Sequence, residues 1–124
     1  MKCFRQVVIV MISVVLLLPM VGMAEYTDFP LNDNEYLGCS ENGAGGRITV
    51  KVTVDNDAIT AIEVIEQNET RGLGTTALLK LIDAMVKVNS SEVDSIAGAT
   101  ITSNAFKAAV NQALENAKNI YNNK

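Results

Sequence analysis

Hydrophobic and polar positions alternate without a break from Arg47 to Val54. Ile48, Val50, Val52 and Val54 fall on one side, and Arg47, Thr49, Lys51 and Thr53 on the other. A period of two over eight residues predicts a strand with one buried and one wet face. Asp55-Asn56-Asp57 supplies a turn, and Ala58 to Glu66 is rich in β-branched residues, which predicts a hairpin. Ile59, Ile62, Val64 and Ile65 populate both faces of this second strand, so it is expected to be the more buried of the two. Upstream, Tyr36 to Cys39 reads as a short first strand and Glu41 to Gly46 as a glycine-rich turn. A strand follows that turn where a phosphate-cradling loop would need a helix.

Beyond Gly74 the period changes. Leu78, Leu81, Ile82, Met85 and Val88 share one side of a helix over Thr75 to Val88, with Lys80, Asp83 and Lys87 opposite. Asn89-Ser90-Ser91 ends it, and Val93 to Ile96 reads as a short extended piece. A second helix, Asn104 to Asn119, places Phe106, Val110, Ala113, Leu114 and Ala117 on a common face, with Thr102 or Ser103 as its N-cap. Strands first and helices after predict an α+β domain: a small antiparallel sheet, a hairpin plus short strands, covered on one face by two helices.

The N-terminal residues follow another pattern. Lys2 and Arg5 precede an apolar run from Val7 to Leu18, then Pro19 and the small-residue ending Gly22-Met23-Ala24. This order predicts a secretory signal cut after Ala24. An uncleaved anchor is the alternative, since Val7 to Ala24 is at the lower edge of what spans a bilayer. Either way the remainder is expected on the outer side of the cytoplasmic membrane, secreted or attached to it. The expected division is 1–24 signal or anchor, 25–35 a polar lead-in, and 36–124 the domain.

Charge and composition narrow the chemistry. Lys2 and Arg5 go with the leader, which leaves 8 basic residues against 14 acidic ones, a net charge of −6. An acidic domain with no basic run argues against nucleic acid as a partner. The chain has no histidine, which excludes histidine metal sites, Ser-His and Cys-His nucleophiles and histidine-ligated haem. No catalytic residue and no metal ligand set is expected, so redox chemistry here calls for an organic cofactor.

The densest cluster of candidate chemistry is Asp94-Ser-Ile-Ala-Gly-Ala-Thr-Ile-Thr-Ser103. Gly98 permits a sharp turn and a close approach to the backbone. Thr100 is expected two or three residues ahead of a helix N-terminus, where free N–H groups and the macrodipole favour a phosphate. A capped turn before a surface helix would use the same residues. Asp94 would then fix the turn by accepting backbone hydrogen bonds.

This stretch resembles the Asp-x-x-Ser-Gly-Ala-Thr-x-Thr-Ser signature of the FMN-binding domain family, with Ala97 where the family has serine. That family includes flavoprotein subunits of the sodium-pumping NADH:quinone oxidoreductase and the Rnf complex, and small extracytoplasmic flavoproteins. Glu69-Thr70-Arg71-Gly72-Leu73-Gly74 resembles the family's second hallmark, Glu-Thr-Pro-Gly-Leu-Gly, with Arg71 in the proline position. The resemblance runs from about Tyr36 to Lys118.

The resemblance implies an FMN-binding electron carrier, not a complete enzyme. A flavin transferase would move FMN from FAD onto Thr100 as a phosphoester. Asp94 would help the transferase orient the Thr100 hydroxyl. The phosphate would face the N–H groups around Ala99 to Asn104, with Gly98, Ala99, Thr102 and Ser103 among the cofactor-binding residues. The ring would lie against the loop Glu69, Thr70, Gly72, Leu73 and Gly74. Redox partners would be membrane-bound or extracytoplasmic. Two alternatives stay open: a non-covalent flavin-binding or flavin-sensing module, and a secreted structural or interaction domain with a vestigial motif.

Overall fold

The computed structural model describes residues 31–122. The expected leader and the first part of the lead-in lie outside the described residues. Three strands come first, β1 Glu35–Gly43, β2 Gly46–Asp55 and β3 Ala58–Glu66. Two helices follow, α1 Gly74–Val88 and α2 Thr100–Asn122. The sheet is antiparallel in the order β1-β2-β3, so the alternating strand is the central one. This is the α+β arrangement expected from the sequence.

Both hairpins close through two residues. Asn56 and Asp57 have φ of 50° and 62°, and positive φ at both central positions is what a type I′ turn requires. The glycine-rich turn is tighter than the sequence suggests. β1 continues through Glu41 and Asn42 to Gly43, which pairs with Gly46. Only Ala44-Gly45 is left as the turn, and Gly46 takes a φ of 102°.

The ranking of the two long strands is the reverse of the expectation. Ile48, Val50 and Val52 of β2 are fully buried, whereas β3 is an edge strand on which Val64 and Ile65 are only half-buried. The apolar residues on both faces of β3 arise from its register. Thr53 pairs with Ala61 and Val54 with Ile59, so Thr60 is an extra residue; Ile65 is extra in the same way between Val64 and Glu66. Each bulge flips the alternation, which lets Ile59 and Ile62 both reach the core at a spacing of three.

Both helices contribute to one core. Leu81 and Met85 of α1 join Phe106, Ala109, Val110 and Ala113 of α2 over the apolar face of β2. α2 lies very close to β1. A Cβ on Gly38 would stand 2.0 Å from the carbonyl oxygen of Ala109 and 2.6 Å from the nitrogen of Ala113, so only glycine fits. One turn apart on α2, Gln112 Oε1 accepts from the Cys39 N–H at 2.8 Å and Asn116 Nδ2 donates to the Leu37 carbonyl at 2.9 Å. These side chains satisfy backbone groups of an edge strand that would otherwise invite pairing with another chain. At the far end of α1, Asn89 adopts a φ of 54°, and its side chain binds the Ile59 N–H at 2.7 Å and the Asp57 carbonyl at 3.3 Å. The helix end is thereby fixed to the β2–β3 turn. Among the described residues, no helix is long and apolar enough to cross a membrane.

Candidate functional site

The two sequence motifs occupy the two loops that precede the helices, and the fold brings them together. Thr70 to Gly74 leads into α1 and Gly98 to Thr102 into α2. Thr70, Leu73, Gly74 and the five residues Gly98 to Thr102, together with Ala44 of the first hairpin, line an open cleft of about 410 Å³. That volume lies within the range of small-molecule sites, roughly 300–1,000 Å³.

The loop before α1 is already wound toward the helix. The Thr70 carbonyl accepts from the N–H groups of Gly74 and Thr75 at 2.8 and 3.2 Å, and the Gly72 N–H donates to Thr75 Oγ1 at 3.1 Å. Gly72 takes a φ of 83°, which suits glycine alone. The loop presents Leu73 to solvent, 54% exposed. Glu69 turns inward and is buried; Oε2 accepts from the Gly45 N–H at 2.6 Å.

The loop before α2 differs from its sequence reading. The helix starts at Thr100 and not at Asn104, so neither Thr102 nor Ser103 is an N-cap. The Ser103 N–H already bonds to the Ala99 carbonyl at 2.9 Å, as the first intrahelical bond. Ser103 Oγ donates to the same carbonyl at 2.7 Å and accepts from the Ile96 N–H at 3.0 Å. With Gly98 at a φ of 82° and Ala99 N–H bonded to the Ile96 carbonyl at 3.0 Å, these contacts fold the turn back onto the helix. Three poor helix formers, Thr100, Thr102 and Ser103, are thus carried into its first turn by local hydrogen bonds rather than propensity. Val93 to Ile96 forms no strand.

The expected site residues therefore separate into two groups. Thr70, Leu73, Gly74, Gly98, Ala99, Thr100 and Thr102 line the cleft. Glu69 and Ser103 are buried behind it, while Gly72 and Asp94 lie outside its lining. The bonds that hold the turn come from Ser103 and Ala99 and not from Asp94. Thr100 is exposed at the start of α2, where the free N–H groups of the first turn carry partial positive charge. Thr102 is 4% exposed, and its hydroxyl has no partner among the described residues. Sequence reading misses Ala44 and Ile101, which also line the cleft. Ile101 is 63% exposed, an apolar residue between two motif threonines that pattern alone gives no reason to place in solvent.

The model of the FMN-binding domain matches residues 43–115, from the end of β1 to the last third of α2. The chain belongs to the FMN-binding domain family. Over 74 residues it is 39% identical to a urocanate reductase of Eggerthella lenta, covering 60% of this chain and 12% of that protein. Over 95 residues it is 30% identical to a subunit of the Na(+)-translocating ferredoxin:NAD(+) oxidoreductase complex of Acetobacterium woodii, covering 64% of this chain and 46% of that protein. The chain thus spans less than half the length of either relative.

FMN is accordingly the cofactor, and the FMN-binding domain has features that fit it. A flat apolar ring needs exposed apolar side chains and bare backbone, which Leu73, Ile101, Gly74 and Gly98 offer. A phosphate needs free N–H groups and hydroxyls, which the first turn of α2 offers with Thr100 and Thr102.

Proposed function

We propose that this chain is an extracytoplasmic electron-transfer domain that carries FMN as a phosphoester on Thr100. The observation that carries this reading is the position of Thr100. It is exposed, lies in the first turn of α2, and opens on the cleft where both motifs meet. In the attachment step, Thr100 Oγ forms a bond to the FMN-side phosphorus of FAD as the pyrophosphate bond breaks. AMP leaves and the hydroxyl proton passes to solvent. A flavin transferase supplies the catalysis.

Bound FMN would supply reversible transfer of one or two electrons. The chain's own residues supply position. The N–H groups at the start of α2 and the Thr102 hydroxyl would hold the phosphate, and Leu73 and Ile101, which line the cleft, would flank the ring. A carrier role, with membrane-bound or extracytoplasmic redox partners, draws support from the likeness to a subunit of a redox complex. The likeness to 12% of a reductase supports a module that serves chemistry completed elsewhere. The export reading rests on Lys2, Arg5, the Val7 to Leu18 run and Gly22-Met23-Ala24; exported protein should begin at Glu25, and a start at Met1 would establish an anchor.

The test is co-expression with a flavin transferase, followed by denaturing electrophoresis under ultraviolet light and intact-mass measurement. Wild type should give a fluorescent band and Thr100→Ala none. A band that survives in Thr100→Ala would place the flavin elsewhere. Ala97, where the signature this stretch resembles has serine, favours a second reading in which FMN binds without a covalent bond. Flavin absorbance that is lost on heat or acid would establish it. Protein with no flavin absorbance at all would leave a structural role.

A further inference from the structure

Glu69 is a buried carboxyl that does not line the cleft, yet the segments that do line it are fitted around it. Its Oε2 accepts from the Gly45 N–H at 2.6 Å across 24 residues of sequence. Its own N–H is held by Gln67 Oε1 at 2.7 Å. Three glycines leave room for this contact. A Cβ on Gly43 would stand 2.4 Å from Glu69 Oε1, one on Gly45 would stand 1.8 Å from the Asn68 carbonyl oxygen, and one on Gly74 would stand 2.8 Å from Glu69 Cβ. Glu69 Oε1 is fully buried with no hydrogen-bond partner among the described residues. A lone buried acceptor is costly, so the fold tolerates an unfavourable group here to keep the contact with Gly45.

We propose that Glu69 is a positioning residue that clamps the β1–β2 hairpin over the cleft and so holds Ala44 as one of its walls. The proposal rests on the reading of the cleft as the flavin site. Glu69 does not line the cleft and acts on it through its neighbours: Gly45 and Ala44 on the hairpin side, and Gly74, against which its Cβ packs, on the α1 side. Beside this hydrogen bond, close packing of glycine backbone joins the hairpin tip to the loop before α1. Without the carboxyl the tip would swing outward and leave the ring side of the cleft open to solvent.

The experiment compares wild type, Glu69→Ala and Glu69→Gln. In flavin-free protein, amide hydrogen exchange should accelerate about tenfold or more at Gly45 and its neighbours in Glu69→Ala, with the core amides of β2 and α2 unchanged. Glu69→Gln, whose carbonyl can still accept from Gly45, should keep wild-type protection. In flavin-loaded protein, attachment at Thr100 should persist in Glu69→Ala, and quenching of flavin fluorescence by iodide should rise several-fold. Unchanged Gly45 exchange, or acceleration spread evenly over the whole domain, would overturn the clamp. If Glu69→Ala does not fold, Glu69→Asp, one methylene too short to reach Gly45, takes its place with the same outcomes. Wild-type protein that never takes up flavin would remove the functional reading, and the exchange measurement would still decide the clamp.

Discussion

Leu73 and Gly98 come within a single methyl group of each other across the cleft. A Cβ on Gly98 would stand 3.8 Å from Leu73 Cδ1, an ordinary contact distance, so the space for alanine exists. The obstacle is the backbone, since Gly98 holds a φ of 82°. Gly98→Ala should therefore cost about 1–2 kcal/mol through torsion alone. Urea denaturation measures this, and an unchanged midpoint would mean that the turn relaxes to another conformation.

Two adjacent hydroxyls in the first turn of α2 should behave in opposite ways. Ser103→Ala removes the acceptor of the Ile96 N–H in a fully buried setting and should destabilise by about 1–3 kcal/mol. Thr102→Val removes a hydroxyl with no partner among the described residues and should leave stability unchanged or slightly higher. The same variant should hold FMN less well if the hydroxyl faces the phosphate. Denaturation of flavin-free protein and the phosphorus resonance of loaded protein measure these effects. Equal destabilisation by both changes would contradict the asymmetry.

What the sequence makes legible depends on whether neighbours along the chain decide the outcome. The alternation at Ile48, Val50 and Val52 and the apolar stripe of α1 survive into the structure because burial on one face imposes them. The extent of β1 is hidden because Ser40, Glu41 and Asn42 continue a strand into polar residues, and pairing with β2 decides that. The bulges at Thr60 and Ile65 depend on register with β2, which no local pattern encodes. The start of α2 comes earlier than the pattern suggests because Ser103 bonds back to Ala99 and Ile96, against the helix propensity of the residues between. The cleft itself is half legible. Both loops carry recognisable motifs, but Ala44 arrives through Glu69 and Gly45, a contact between distant segments.

Ala97 lies in the turn before α2 and does not line the cleft. Ala97→Ser restores the family's residue at a solvent-facing position, so stability should change by no more than about 0.5 kcal/mol. Attachment at Thr100 should be retained or improved, read as the yield of fluorescent band. A loss of attachment in Ala97→Ser would mean that the alanine is an adaptation of this chain and not a missing contact.

Lys51 Nζ lies 2.8 Å from Glu35 Oε2 and 3.1 Å from Glu63 Oε2. The hydrogen bond from Lys51 holds the Glu35 carboxyl below its ordinary 4.5, and the contacts to Glu35 and then Glu63 raise Lys51 above its ordinary 10.5. The Glu35 contribution to stability is present above pH 4.5 and lost as pH falls through its lowered folded value. The Lys51 contribution is present below pH 10.5 and lost as pH rises through its raised value. Both effects should be small, because surface ion pairs are screened by water and salt. Lys51→Met should flatten both limbs of a thermal-stability profile against pH. Superimposable limbs would show that the pair contributes nothing.

The glycine at position 38 makes α2 into a lever. Ala109, whose carbonyl packs on Gly38, and Thr100 belong to one rigid helix, nine residues and about 14 Å apart along its axis. The fulcrum is backbone together with the Ala113 methyl, so it holds no flexible side chain to absorb a displacement. A methyl group introduced at Gly38 must push the helix bodily away from the sheet, and the shift travels along the axis to the residue that faces the cleft. Geometry at the cleft is thus set in part by a backbone contact about 14 Å away along α2.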